Sequence, residues 1–199
     1  MRLLFVTQYF TPEPITKIRF LARALAARGH KVTVLTSLPC WPLGKIHPEY
    51  KGVYYKTEQM DGFEVIRVPQ IPDHSSSAIR RIIYYFSFPF FAALRIPLMV
   101  PRRYDAAYFY GAAIPVLGLA PFVRTFLGAK CVFDIVDLWP ESVEATGMLR
   151  SPKLLKMVSA LSTSLYKRAD FITTATKGFK QRLEMRGLRP EKMRAANCI

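Results

Sequence analysis

The sequence predicts a single α/β domain in which a parallel β-sheet carries helices on both of its faces. Short apolar runs of strand length alternate with helical segments along the whole chain. Strands that are joined by helices in this way lie parallel, with right-handed crossovers between them. The chain has 199 residues, 51% of them hydrophobic, which is enough for one well-buried domain or at most two small ones.

The first β-α-β unit begins near the N-terminus. Residues 3–7 are a continuous apolar run, as expected of a strand covered on both faces, and residues 31–36 begin the second strand. Between these strands, Gly29 stands where a glycine commonly ends a helix. The apolar face of that helix recurs at helical spacing in Ile18, Leu21, Ala22 and Leu25.

The alternation continues to the end of the chain. A long helix is predicted at residues 153–168, with Ser151 as its cap and Pro152 in its first turn. Lys167 and Arg168 end this helix, as the helix dipole favours. Further strands are predicted at residues 63–68, 106–109, 130–135, 171–174 and 192–196.

The composition restricts the possible partners and cofactors. The formal net charge is +15, and such an excess favours an anionic partner, namely nucleic acid, anionic lipid or a phosphorylated substrate. The three cysteines, Cys40, Cys131 and Cys198, match neither a metal-ligand spacing nor a C-x-x-C pair. We therefore expect a reduced, cytoplasmic setting, with no metal ion and no cofactor bound to this domain.

One segment is unusually apolar. Residues 80–103, RRIIYYFSFPFFAALRIPLMVPRR, place about 20 mostly apolar residues between two pairs of arginines. A single membrane crossing is excluded, because the predicted strands before and after this segment belong to one sheet. Two interpretations remain at this point: helices buried against the sheet, or a kinked apolar element that dips into one leaflet.

Functional residues of an open α/β sheet lie beyond the carboxyl ends of its strands. The richest such segment is DLWPES, residues 137–142, which follows the predicted strand at residues 130–135. Asp137 and Glu141 supply acceptors, and Trp139 supplies a flat apolar face of the kind that stacks on a sugar ring. A capping cluster explains Ser142 equally well, whereas we assign Asp137 to function.

Four separated motifs carry a resemblance that covers essentially the whole chain. They are QYFTPEP, RGHKVTVLTSLPCWPLGKIHPEYKG, DLWPES and LYKRADFITTATKGFKQRL, in this order. Together they resemble the N-terminal, acceptor-binding half of a family 4 glycosyltransferase with the two-domain GT-B architecture. The most similar members add sugars to lipid-linked precursors of bacterial surface polysaccharides. The resemblance implies a Rossmann-like domain spanning residues 1–199.

The resemblance also implies an activity. Such enzymes are retaining and depend on a nucleotide sugar, which binds to a second, C-terminal domain. Residues 197–199 match the start of the loop that links the two domains in the family, so we expect that the donor domain is absent here. The chain alone is then expected to be inactive.

The resemblance implies the following site residues. Asp137 is the expected catalytic acid or base, with Glu13 as a weaker candidate. The loop after the first strand, where relatives commonly have glycine, contains Thr16 and Lys17, whose side chains are expected to contact a phosphate. The full set of expected acceptor-binding residues is Gln8, Tyr9, Thr16, Lys17, Trp139, Glu141 and Ser142.

A polyprenyl diphosphate sugar as acceptor would place the protein on the cytoplasmic leaflet of the plasma membrane. This implication favours the lipid interpretation of residues 82–101, because basic and aromatic residues are attracted to that boundary. The expected membrane contacts are Arg80, Arg81, Tyr84, Tyr85, Phe90, Phe91, Arg102 and Arg103.

Two other classes of protein fit less well. A dinucleotide-dependent oxidoreductase would need G-x-G-x-x-G in the first turn, where this chain has QYFTPEP. A non-catalytic basic module that binds an anionic membrane or nucleic acid would explain the charge. However, the sequence has no recognisable nucleic-acid motif, so we predict no nucleic-acid partner.

Overall fold

The computed structural model describes residues 1–73, 75, 77–111, 113–145 and 151–195. In these residues, eight strands form one sheet: β1 Arg2–Thr7, β2 Lys31–Ser37, β3 Lys56–Met60, β4 Phe63–Val68, β5 Ala106–Tyr110, β6 Lys130–Ile135, β7 Phe171–Thr174 and β8 Met193–Ala195. Their order is β3-β4-β2-β1-β5-β6-β7-β8, and every neighbouring pair is parallel except β3 and β4. The predicted parallel α/β sheet is confirmed, with one antiparallel strand added at its edge.

The strand that sequence reasoning missed is β3. It pairs with β4 through a hairpin in which Asp61 and Gly62, at φ 48° and 85°, separate Met60 from Phe63. Asp-Gly is a preferred pair for such two-residue turns, because both positions need positive φ. At the other edge, β8 is shorter than predicted, and residues 196–199 lie outside the described residues.

Helices connect the strands. The described α-helices are α1 Lys17–Ala27, α2 Ala78–Arg95, α3 Ile114–Leu117, α4 Ala120–Phe122, α5 Glu141–Ala145, α6 Pro152–Lys167 and α7 Lys177–Met185. Val123–Leu127 extends α4 as a π-helical turn, and 3-10 turns occupy Pro48–Tyr50, Ile96–Met99 and Pro190–Lys192.

The ends of two helices test the predicted caps. α1 ends as expected: Gly29 has φ 82°, and its N–H and that of His30 donate to carbonyl groups of the last turn. Ser151 does occupy the cap position of α6, but its side chain accepts no capping hydrogen bond. The predicted cap position of Ser151 and the first-turn position of Pro152 are therefore confirmed, although the Ser151 side chain does not cap the helix.

The sheet separates two apolar cores. On one face, Ile18 and Ala22 of α1 pack with Phe5, Val34 and Phe63. On the other face, α2, α3, α6 and α7 cover a larger core that contains Leu4, Phe109 and Phe133. Helices therefore lie on both faces of the sheet, as predicted.

The apolar segment at residues 80–103 forms α2 and the 3-10 turn that follows it. Pro89 lies within α2 and does not end the helix. One face of the segment is buried, through side chains spaced four residues apart: Tyr84, Phe88, Ala92 and Ile96. The opposite face is also apolar but is 43% to 72% exposed, through Ile79, Ile82, Ile83, Phe86, Phe90 and Leu94. The buried face fits a helix packed against the sheet. The exposed apolar face fits an element that dips into one leaflet.

The stretch Ile79–Met99 has a mean hydropathy of 1.5 and sufficient length to cross a membrane. It leads from β4 to β5, which belong to the same sheet, so both of its ends return to one side. α2 contains 18 residues and is therefore about 27 Å long. A helix in this position can lie along a bilayer surface but cannot span the bilayer.

An arginine is buried completely near the carboxyl edge of the sheet. The Arg67 side chain is 0% exposed and forms an ion pair with Glu58 at 2.6 Å. Its guanidinium also donates to the carbonyl oxygens of Ser37 and Thr11, at 3.4 and 2.6 Å. Although burial raises the pKa of Glu58, its hydrogen bonds to Lys56 and Arg67 outweigh that effect, and the net result is a lowered pKa. Arg67 thereby joins β2, β3 and β4 to the loop after β1.

Candidate functional site

The candidate site lies at the carboxyl edge of the sheet. Because β1, β2, β5, β6 and β7 are parallel, the loops that follow them meet at this edge. The predicted residues come from the β1 loop, from the start of α1 and from the segment between β6 and α5. The hydrogen bonds of these residues distinguish those that hold the loops in place from those that remain accessible.

Glu13 holds two loops together. Its side chain is buried and accepts backbone N–H groups from Phe10, Cys40 and Trp41 at 2.8 to 2.9 Å. Burial raises the pKa of this carboxyl, and the three N–H bonds oppose the rise. Both oxygens accept backbone N–H groups, so Glu13 has a structural role at this edge, and its catalytic role stays a prediction.

Gln8 and Tyr9 line the base of the β1 loop. The Gln8 side chain is buried, and its Nε2 has no hydrogen-bond partner in the described part of the chain. The Tyr9 hydroxyl accepts a hydrogen bond from Tyr84 of α2 at 3.0 Å, and its ring packs against Trp41 at 5.9 Å between centroids. Burial raises the pKa of both tyrosines, so both stay protonated at neutral pH.

Lys17 is paired with an acid that sequence reasoning missed. Its Nζ lies 2.6 Å from Oδ2 of Asp134, a buried residue near the end of β6. Tyr108 and Thr173 also donate to Asp134, at 2.7 and 2.8 Å. Lys17 itself is 50% exposed, so it can reach a ligand while Asp134 fixes its position. Thr16 occupies the cap position of α1, where it is exposed and makes no side-chain capping bond.

Arg186 fixes the segment that contains the DLWPES motif. It donates to the Trp139 carbonyl oxygen at 2.6 Å and to both carboxylate oxygens of Glu141. Ser162 of α6 donates to the same Trp139 oxygen at 3.2 Å. The Glu141 carboxylate is therefore held by an ion pair with Arg186 and is 33% exposed, and its contact with the acceptor stays a prediction.

Asp137 differs from these residues. It is exposed, and no hydrogen bond or ion pair to it occurs within the described residues. Burial raises the pKa of Tyr110, Lys17 lowers it, and the negative charges of Asp134 and Asp137 add to the rise. The Lys17 ammonium lies 5.1 Å from the centroid of the Tyr110 ring. Asp137 is therefore an accessible carboxylate in the same electrostatic environment as Lys17 and Tyr110.

The predicted membrane contacts fall into different environments. Arg80, Arg81 and Phe90 are exposed, and Tyr85 and Phe91 are partly exposed. Tyr84 is only 8% exposed and donates a hydrogen bond to Tyr9 of the β1 loop. At the other end of the segment, Arg103 is exposed and Arg102 pairs with Glu64.

Solved structures share the fold of this chain. HepE of Anabaena, in complex with UDP and glucose, matches 98% of this chain and 44% of its own length, at a TM-score of 0.54 and 12% identity. UGT89C1 of Arabidopsis thaliana, complexed with UDP, matches 98% of this chain and 49% of its own length, at a TM-score of 0.53 and 10% identity. The fold is that of the first half of a GT-B glycosyltransferase, as predicted.

The chain belongs to the glycosyl transferase 4-like domain family, whose model matches residues 15–197. It is also 26% identical over 173 residues to the Escherichia coli (strain K12) protein named "Putative colanic acid biosynthesis glycosyl transferase WcaI". That match covers 84% of this chain and 42% of the relative. The chain thus spans less than half the length of these relatives.

Proposed function

We propose that this domain is the acceptor-binding half of a retaining glycosyltransferase, which moves a sugar from a nucleotide sugar to a lipid-linked acceptor. The observation that carries the proposal is Asp137, an accessible carboxylate at the carboxyl edge of a family 4-like domain. A carboxylate in this position can orient an acceptor hydroxyl or accept its proton. A polyprenyl diphosphate sugar is the proposed acceptor.

Lys17 is the proposed contact for the acceptor phosphate. Its ammonium group lies at the first residue of α1, where the helix dipole also favours an anion. Asp134 offsets that charge while the site is empty and limits the positions that the ammonium can adopt. Tyr108 and Thr173 share Asp134 with Lys17, so a phosphate can attract Lys17 without leaving the buried carboxylate unpaired.

The donor is proposed to bind a second domain. Both solved relatives contain UDP, and this chain covers 44% and 49% of their lengths. We propose that a donor domain accounts for the remaining length of those two proteins. The 199-residue chain alone is accordingly proposed to be inactive, and the relative named for colanic acid biosynthesis favours a surface polysaccharide as the product.

The function is tested by joining the chain to the donor domain of its own gene or operon. The joined protein is incubated with nucleotide sugars and a short polyprenyl diphosphate sugar, and products are followed by mass spectrometry. We expect transfer with retention of the donor's anomeric configuration, and no transfer by the 199-residue chain. A product with inverted configuration would contradict the retaining mechanism, and transfer only to soluble acceptors would contradict the lipid-linked one.

We further propose that the exposed apolar face of α2 rests in the cytoplasmic leaflet. Its side chains are between 43% and 72% exposed, and aromatic rings among them suit the interface between headgroups and acyl chains. Arg80 and Arg81 at the start of the segment and Arg103 at its end are exposed and available to headgroups. We therefore propose that the protein lies peripherally on the membrane that holds its acceptor.

Replacing Phe86 and Phe90 together by serine is expected to lower binding to anionic vesicles at least tenfold. Both rings are more than half exposed, so their loss removes apolar contact with lipid and leaves the core intact. Vesicle co-sedimentation measures the binding, and thermal melting measures the fold. Phe20→Ser is the matched control, because Phe20 is 54% exposed on α1, on the opposite face of the sheet.

Phe88→Ser provides the opposite control. Phe88 lies on the buried face of α2 at 0% exposure, so its replacement should lower the melting temperature sharply. Unchanged vesicle binding by the Phe86 and Phe90 variant would contradict the placement of α2 in the leaflet.

A further inference from the structure

A second pocket lies at the amino edge of the sheet, at the opposite end from Asp137. Its volume is about 360 Å³. The amino ends of β1, β2 and β4 and the segment before β5 line it. Arg2 is in register with Lys31, and Thr33 is in register with Glu64, so these four side chains emerge on one face of the sheet. It is the face that α2 covers.

The pocket is built for an anion. Three cations, Arg2, Lys31 and Arg102, line it together with one acid, Glu64. Glu64 pairs with Arg102 and accepts a hydrogen bond from Thr33 at 3.3 Å. The side chains of Arg2 and Lys31 have no hydrogen bond or ion pair within the described residues, which leaves two positive charges uncompensated in the pocket. Beside the pocket, the Asp105 carboxylate accepts the Arg2 backbone N–H at 2.7 Å, which places one further negative charge next to the three cations.

The surroundings indicate which anion fits. Leu98 and Val100, which immediately precede Arg102, are 69% and 51% exposed. Along the chain, they extend the apolar stretch of α2 to within two residues of Arg102, which lines the pocket. A ligand at this position therefore meets positive charge in the pocket and apolar side chains next to it. A phospholipid has the same arrangement, with a phosphate adjacent to acyl chains.

We propose that this pocket binds the phosphate of an anionic phospholipid headgroup, through Arg2, Lys31 and Arg102. The inference rests on the membrane placement proposed for α2, and it assigns a specific lipid contact to the end of that helix. Glu64 competes with the phosphate for Arg102, so it limits the affinity of the site. The pocket and the pair Arg80 and Arg81 lie at opposite ends of the helical segment, so both ends are attached to headgroups.

The test uses two pairs of substitutions that remove the same charge from the 199-residue chain. Arg2→Gln with Lys31→Gln changes the pocket, whereas Arg23→Gln with Arg28→Gln changes exposed residues at α1 on the opposite face. Binding is measured by co-sedimentation with phosphatidylcholine vesicles that contain, or lack, phosphatidylglycerol. We expect the pocket pair to lower binding to phosphatidylglycerol vesicles at least tenfold and the α1 pair to lower it less than threefold. Glu64→Gln should raise it.

The possible results separate this inference from the membrane placement. Equal losses of vesicle binding for the two pairs of substitutions would show only a general attraction between positive charge and anionic lipid. That result would overturn the proposed phosphate site. Loss of binding in the Phe86 and Phe90 variant but not in the pocket pair would leave the membrane placement intact and overturn the pocket alone. No vesicle binding by the unchanged protein would overturn both. Thermal stabilisation by inorganic phosphate that depends on Arg2 and Lys31, without any effect of these residues on vesicles, would make the site one for a free phosphate and overturn the lipid assignment.

Discussion

Asp137→Asn in the enzyme joined to its donor domain is expected to lower turnover about 100-fold or more, with little change in stability. General acid or base groups commonly contribute factors of this size. Asp137 is exposed and makes no ion pair or hydrogen bond in the described chain, so the amide should not disturb the fold. Steady-state rates at saturating acceptor and thermal melting of the same preparations provide the two measurements.

Glu191→Gln is the matched control for Asp137→Asn. Glu191 is an exposed carboxylate, but it lies just before β8, at the amino edge of the sheet and away from the proposed site. Its replacement should leave turnover unchanged. If Asp137→Asn kept the rate within a factor of about three, a contribution of 1 kcal/mol or more to the barrier would be excluded.

Arg67→Met is expected to destabilise the domain by about 3–5 kcal/mol, and so to lower the melting temperature by roughly 6–20 °C. The substitution leaves Glu58 without its buried partner and leaves the Thr11 and Ser37 carbonyl groups without a donor. Methionine fills a similar volume, so the loss reports mainly on the unpaired polar groups. Urea unfolding followed by circular dichroism gives the free energy.

An exposed ion pair serves as the comparison for Arg67. Arg19 pairs with Asp61 at 2.7 Å, and the two side chains are 41% and 25% exposed. Arg19→Gln should therefore destabilise the domain far less than Arg67→Met, because exposed ion pairs contribute little to stability. Equal destabilisation by the two substitutions would mean that the buried position of Arg67 adds nothing to its effect. A change below about 1 kcal/mol for Arg67→Met would contradict its proposed role as a junction between β2, β3, β4 and the β1 loop.

The strand pattern of this domain was predictable because most of its strands are covered on both faces. Residues 130–135 and 171–174 were placed correctly, since buried parallel strands are short apolar runs between helices. β3 was missed because Lys56–Met60 is an edge strand with polar residues on both faces. The Asp61-Gly62 pair was the available signal, since it marks a hairpin between two strands.

The candidate site was less predictable, because its side-chain pairings depend on distances across the fold. Asp137 and Lys17 follow predicted parallel strands in the sequence, and this order placed both residues at the carboxyl edge. Nothing local indicates that Lys17 pairs with a residue 117 positions away. Similarly, the Cys40 and Trp41 N–H groups can donate to Glu13 only after two loops meet in the folded chain.

The existence of a continuous apolar face on α2 could have been predicted from its sequence. Tyr84, Phe88, Ala92 and Ile96 repeat every four residues, which defines one face of a helix. The sequence does not indicate which apolar face meets the sheet. The buried face packs into a core that also contains Leu4, Leu35 and Ile66 of the sheet, and this packing arises only in the folded chain.

The direction of α2 has a consequence for how a membrane-bound acceptor reaches Asp137. The helix begins beyond the carboxyl edge of the sheet, where Tyr84 contacts Tyr9 and Ser87 accepts the Ile71 N–H at 3.1 Å. If the protein lies on a bilayer through α2, the carboxyl edge that carries Asp137 points sideways, at the height of the headgroups. It does not point outward into the cytoplasm. Acceptors would arrive by lateral diffusion within the leaflet, so their encounter rate would depend on their number per unit of membrane area. Dilution of the acceptor with inert lipid should then slow the enzyme even when the total acceptor concentration in the sample is constant.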